Sequence, residues 1–581
     1  MYKRAQCSVI TTAICGAMVF GMVQRQIHAE PCDPVDVLVD FNNGGTQSEH
    51  GKAVAAQGVY IAVLDPKFNA GGFTACSGSV SIWKPDPEND NSAWVVDSVF
   101  DDDDIGVASR IGEQGGEYAP GRRHLAAAGD VDLDGHPDWV VSGVYSCNSS
   151  PLPVDAVWVF TVASGSACGA APQLKAMITS DSAGATLFGR SVDGAGDVDG
   201  DGASDIVVGA PQGSGTGGEA RVYWDYQCVG GNGSFASSYI ISGPPSEAAF
   251  ASEVRFISDI DGDGRDEVAI GDPSRHQVEI YAFNPSTSTF ALHSTITPPP
   301  GTVSSKFGSV INHYATSDPN QPTMVLIGDP RFYSGPDQIG AVYAYKWNTT
   351  TSSWAHQGTL FGEEDFDWFG SSIASAGSFG GGGASGSDNF VVGASGATRK
   401  VGVDGIGEVI VFDGDTFTEV ARHGGEKWGD ESLFGHSVAA TDTGKEVGIV
   451  VGAPQHDDGS FDGRAYWIPD IVSNRRTMAL FVYGISTGQD TTFQVAGADP
   501  HEKILLAYSL SSGCTGTASG ARIELFNPTQ AAIVTATANG FAQGQFVISG
   551  QYSGQELIFQ AVQHKDGSNP LSSNVNVMPV L

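Results

Sequence analysis

Apolar runs of four to seven residues, separated by turns rich in glycine, proline and aspartate, recur along the chain from Val35 to Val577. Alternating or short continuous runs of this kind predict β-strands. The runs come in sets, with starts at His50-Gly51, Arg123-His124, Phe188-Gly189, Phe250-Ala251, Phe307-Gly308, Phe369-Gly370 and Phe434-Gly435. A turn follows the second run of each set, at Asp65-Pro66, Gly143-Val144, Gly209-Ala-Pro211, Gly271-Asp-Pro273, Gly328-Asp-Pro330, Gly393-Ala-Ser395 and Gly452-Ala-Pro454. A third run comes next: SVSIW, AVWVF, ARVYW, QVEIYAF, AVYAYKW, EVIVF and RAYWI. Successive starts lie 57 to 73 residues apart, which leaves room for four strands in each set.

Seven such units fit a seven-bladed β-propeller, with a linear solenoid as the alternative. The seventh unit stops after its third strand, at Trp467-Ile468, while Val35–Phe41 precedes the first unit as an orphan strand. The strand at 35–41 is therefore expected to close the last blade of a ring spanning 33–472, removing an open sheet edge.

Three units carry a chemical signature between their first two strands. The third reads Asp197-Val-Asp199-Gly-Asp201-Gly-Ala-Ser-Asp205, with carboxylates at loop positions 1, 3, 5 and 9. Glycines allow the tight turn that gathers these oxygens. Four hard oxygen donors plus the carbonyl of Ala203 suit Ca²⁺. The second unit offers Asp130, Asp132, Asp134 and Asp138 with the carbonyl of His136, and the fourth Asp259, Asp261, Asp263 and Glu267 with that of Arg265. Three Ca²⁺ sites are expected, at 130–138, 197–205 and 259–267. An EF-hand is excluded because its twelfth position, a bidentate glutamate, would fall on Val208 within an apolar strand. The first unit has only Gln57-Gly58 at this place, and units five to seven have SDPNQ (317–321), a glycine-rich stretch (377–388) and TDTGKE (441–446). These four are assigned no metal. The run Asp101–Asp104 lacks the alternate spacing and reads as a solvated loop.

The phrase FGRSVDGAGDVDGDGASDIVVGAP at 188–211 resembles the FG-GAP repeat of the integrin α-subunit propeller. That resemblance covers about 33–472 and implies a seven-bladed ring whose cations lie on one face and whose partner-binding loops lie on the other. It also implies a disulfide scheme. Cys76 and Cys147 both follow second strands of adjacent blades, and Cys168 and Cys228 both follow third strands, so these two pairs are expected. Cys32, just before the 35–41 strand, is expected to reach Cys514 in the C-terminal module.

Composition adds a compartment. Met1–Ala29 has a basic start at Lys3 and Arg4, an apolar stretch at 8–23 and a small residue at the cleavage point, which reads as a secretory signal. The expected mature chain is secreted, periplasmic or cell-surface, without membrane insertion, and its six remaining cysteines suit disulfides. A formal charge of −37 argues against nucleic acid or an anionic membrane as partner.

Beyond about Arg475 the pattern changes. Alternating runs at 481–483, 492–495, 504–508, 523–526, 544–548, 557–562 and 573–577 predict a small Ig-like β-sandwich over 475–581, similar to the C-terminal module of bacterial secreted FG-GAP proteins. The whole is expected to be all-β, a seven-bladed propeller followed by a sandwich.

No GxSxG or HExxH motif occurs, and the 13 histidines are scattered. His124 and His436 read as packed or turn residues, while His313, His356 and His423 are placed in or near inter-strand loops. The functional expectation is a non-catalytic binding or adhesion module for a protein or glycan partner. A calcium-dependent polysaccharide lyase or other exported hydrolase, drawing on Lys306, Arg331, Arg399 or His313, is the enzymatic alternative. A structural surface or matrix component is the third.

Overall fold

Among the described residues of the computed structural model, every named element is a β-strand. The described residues are 36–38, 49–67, 78–85, 94–101, 105, 109–112, 124–145, 154–161, 174–180, 185–213, 217–229, 232–245, 249–302, 306–315, 323–377, 388–397, 405–424, 432–442, 447–455 and 463–469, with the strands between 479 and 579 as backbone. The segment 1–29, the cysteines 32, 76, 147 and 168, Arg399 and most of Asp101–Asp104 lie outside them. The chain divides into two compact bodies. The larger holds 35–418 and 427–470, and the smaller holds the strand Glu419–Gly424 and the strands from 479 onward.

In the larger body each unit forms an antiparallel meander. The first is Ala53–Gln57, Tyr60–Asp65, Ser79–Pro85 and Trp94–Phe100, paired in chain order. The fourth (Glu253–Ile257, Glu267–Asp272, Gln277–Asn284, Thr289–Ile296) and fifth (Val310–Ala315, Thr323–Asp329, Ala341–Asn348, Ser353–Phe361) repeat it. So do Phe369–Gly377, Asn389–Ala394 and Glu408–Phe412 of the sixth unit. The second and third units merge into one nine-stranded sheet, because Leu174–Thr179 meets Asn232–Ser242 in parallel at Ala176 and Gly233. In the seventh unit, Ser437–Asp442, Val447–Ala453 and Arg464–Pro469 receive Asp36–Leu38 as a fourth, antiparallel strand.

The core lies between neighbouring sheets rather than inside any one of them. Trp139 and Trp158 of the second unit pack with Ile82 and Phe100 of the first, and Phe250 and Val254 of the fourth with Val207 and Trp224 of the third. Val54, Val63 and Trp83 of the first unit pack with Val450, Ala465 and Trp467 of the seventh. Contacts between first strands run from 53–57 through 125–129, 191–196, 253–257, 310–315, 369–377 and 437–442, and then return to 53–57.

The repeated glycines are explained by these seams. A Cβ on Gly209, Gly271, Gly328, Gly393 or Gly452 would stand 2.0–2.5 Å from a backbone oxygen of the next unit's start, the last being Gly51 of the first unit. The seam also relocates one start. Gly218, Gly340 and Gly407, just before their third strands, abut the backbone of Phe250, Phe369 and Phe434, and Gly78 abuts Ile111 in the same way. Ile111-Gly112, with Gly112 at φ +77°, therefore takes the place expected for Arg123-His124. An isoleucine fills the aromatic's place there, so the aromatic signature misses it. His124 is buried against Ser142, Nδ1 to Oγ 2.9 Å.

In the smaller body one sheet contains Ala479–Tyr483, Asp490–Ala496 and Phe541–Val547, and another contains Thr529–Thr535, Lys503–Ser509, Glu556–His564 and Asn576–Pro579. Ser512–Gly516 and Arg522–Leu525 form a hairpin. The apolar pattern anticipates seven of these strands. It misses Ser512–Gly516 and Thr529–Thr535, whose small and polar residues give no alternating signal.

Candidate metal centres

All three acidic loops join the first two strands of their units, and all three are wound alike. The first aspartate of each gathers backbone N–H groups from across the turn. Asp197 accepts from Gly200, Asp201 and Gly202 at 2.7–3.2 Å. Asp259 accepts from Gly262, Asp263 and Gly264 at 2.6–3.2 Å, and Asp130 from Asp134 and Gly135 at 3.0 and 2.8 Å. The ninth-position carboxylate is buried and caps the loop from inside: Asp138, Asp205 and Glu267 accept the N–H of Val131, Val198 and Ile260. Left-handed backbone at the fourth position comes from Gly200 and Gly262, and in the second unit from Leu133 at φ +59°.

This winding brings carboxylate oxygens together. Oxygens of Asp130, Asp132 and Asp138 lie within 4.8 Å of one another, as do those of Asp197, Asp199 and Asp205, and those of Asp259, Asp261 and Asp263. Asp201 instead groups with Asp199 and Asp225. Glu267 stands outside its loop's cluster. His136, Ala203 and Arg265 each donate their backbone N–H to the fifth-position aspartate, at 2.8–3.0 Å. Arg265 also pairs with Asp263 at 3.0 Å and reaches the carbonyl of Asp199 at 3.2 Å.

Electrostatics separates the loops. Burial, with like charges nearby, pushes Asp205 and Glu267 up to about 9. Burial pushes Asp138 only to about 7, because the Lys175 ammonium opposes it. The oxygen-only donors and buried carboxylates of 197–205 and 259–267 fit a hard divalent cation, which stabilises the charged form that burial disfavours.

Three features of the site escaped the linear pattern. Asp225, on the third strand Glu219–Val229, approaches the 197–205 loop and accepts from Ser237. The eighth loop position stitches neighbouring loops together. Ser204 donates its N–H to the carbonyl of Asp130 and accepts that residue's N–H on Oγ, both at 3.1 Å. Asp266 does the same to Asp197 at 2.9 and 3.0 Å, and also accepts the N–H of Asp259. Gln57, in the unit without carboxylates, reaches Gly129 through both ends of its amide. The third feature is Lys175, whose side chain is fully buried beside the 130–138 loop.

Of the histidines expected near loops, His313, His356 and His423 all lie within strands, at 310–315, 353–361 and 419–424. His423 is buried.

No curated protein matches the chain. The FG-GAP repeat family matches residues 188–223, which begin at Phe188-Gly189, contain the 197–205 loop and end within the third strand. The chain thus carries an FG-GAP repeat at 188–223, set in an architecture whose described elements are all β-strands.

Proposed function

We propose that the chain is an exported, calcium-stabilised seven-bladed β-propeller with a C-terminal β-sandwich, acting as a non-catalytic binding module for a protein or glycan. The observation that carries this reading is the placement of the acidic loops. They occupy first-to-second strand junctions, so in an antiparallel meander they lie at the opposite end from the second-to-third strand connections. Ions at 197–205 and 259–267 then hold the scaffold, and the opposite loops are free to meet a partner. The return of first-strand contacts from 437–442 to 53–57 supports a closed ring. Cys228 takes part in a disulfide, which supports the reading of an exported chain.

The test is a glycan array and a pull-down with the exported chain in millimolar Ca²⁺. A retained ligand whose binding survives Asp199→Asn with the fold intact is the expected result. Loss of binding with the fold intact would place the ion in the ligand site. Release of unsaturated sugar products would favour the lyase.

A further inference from the structure

The second unit repeats the acidic loop but fills it from within. Lys175 lies on the fourth strand, Leu174–Thr179, and its side chain is 0 % exposed. Its Nζ stands 2.5 Å from Asp132 Oδ1, 2.9 Å from Asp134 Oδ2 and 3.2 Å from Asp138 Oδ1. Three of the loop's four carboxylates therefore already converge on one buried positive charge. The backbone around Lys175 is tied down as well, because its carbonyl accepts from Tyr226 of the third unit and Ala176 pairs with Gly233.

At 197–205 and 259–267 the buried carboxylates Asp205 and Glu267 face further carboxylates, with no ammonium among the main influences on them. There the nearby residues are a further carboxylate, Asp225, and the Arg265 guanidinium, which pairs with the carboxylate of Asp263 and reaches the backbone carbonyl of Asp199, with Arg265 and Asp263 a quarter or more exposed. A divalent ion bonds carboxylate oxygens at about 2.3–2.6 Å. In the second unit it would have to take those oxygens from the ammonium and sit within a few ångströms of it, and two cations so close and so buried repel strongly.

We propose that Lys175 is the resident cation of the 130–138 loop, so that this loop takes no Ca²⁺ and the chain binds two ions rather than three. The inference rests on the calcium reading of the other two loops. It makes the second unit a metal-independent copy of a metal-dependent device. Removing the ammonium while keeping its volume should convert the loop into a third site.

The experiment is equilibrium dialysis of the full exported chain against Ca²⁺, with metal quantified per chain, for wild type, Lys175→Met, Asp132→Asn and Asp199→Asn. The expected uptakes are two, three, two and one. Lys175→Met is also expected to lose near-ultraviolet circular dichroism in chelator and regain it in millimolar Ca²⁺, which wild type does not need at this unit. Should Lys175→Met fail to fold in either buffer, Asp132→Asn decides: uptake unchanged at two supports the proposal. Wild-type uptake of three, with one ion lost in Asp132→Asn, overturns it and leaves the calcium reading standing. No uptake by wild type overturns both.

Discussion

All neighbouring sheets are packed through apolar side chains, but units two to four and units five and six add different contacts to that packing. In the first group the strand junctions are carboxylate loops, stitched from unit to unit by Ser204 and Asp266. In the second group the addition is a further aromatic stack with side-chain bonds to the backbone. Phe390 of the sixth unit stacks on Tyr314 of the fifth at 5.4 Å and on Phe412 at 5.5 Å, and the Tyr314 hydroxyl donates to the carbonyl of Gly414. Asn312 reaches across the same seam to the carbonyl of Ile373. Apolar packing needs nothing from the solvent, whereas a knot of buried carboxylates needs a counter-charge. One chain thus uses both solutions to the same geometric problem.

The difference is open to experiment. Phe390→Ala should cost about 3–5 kcal/mol, the usual loss for truncating a buried aromatic, and the loss should be the same with and without chelator. Urea denaturation in the two buffers checks this, and a chelator-dependent cost would mean the seams are not independent. Acid should act at a third seam. Burial, with Lys52 nearby, lowers the pKa of His436 from 6.5 to about 3, so the folded protein keeps the imidazole neutral while the unfolded chain protonates it below 6.5. This contribution is complete above pH 6.5 and is lost as pH falls towards 3. Between pH 6.5 and 5 the loss is about 2 kcal/mol. A His436→Gln variant with the same acid sensitivity as wild type would refute the assignment.

Chelation should have a smaller effect. With a dissociation constant on the order of 10⁻⁴–10⁻³ M, each loop gains about 1 kcal/mol at millimolar Ca²⁺. Hydrogen exchange should therefore quicken in 191–210 and 253–272 and stay unchanged in 369–394. Uniform quickening would show one cooperative ring rather than two kinds of seam. Ser204→Ala should have the least effect, up to about 1 kcal/mol, because it removes one neutral hydrogen bond to Asp130. Its signature is faster exchange at the 130–138 loop, and no change there would mean that the carbonyl–amide half of the stitch suffices.

What the sequence reveals follows the range of the physics behind it. The unit starts and turns are visible because close backbone approach leaves no room for a Cβ, as at Gly452 against Gly51. The acidic loops are visible because their ligand spacing is local. Lys175 is not, since it comes from a strand more than thirty residues beyond the loop that it enters. Ser204 and Asp266 look like ordinary polar turn residues until the neighbouring loop is placed beside them. Ile111-Gly112 keeps the glycine but not the aromatic, and the left-handed conformation of Leu133 has no sequence marker at all.

The three-residue strand Asp36–Leu38 pairs with Arg464–Pro469, more than four hundred residues later. A loop of that length costs roughly 5 kcal/mol of chain entropy to close, before any constant. During synthesis the segment that completes the last sheet emerges first and waits longest for its partner. In the proposed ring, six seams would form as the chain lengthens, and the seventh would wait for both the 36–38 and the 464–469 strands. Until that moment the edge of Arg464–Pro469 remains open to other strands. Truncation at either end should therefore act on yield and aggregation during folding well before it acts on the finished molecule.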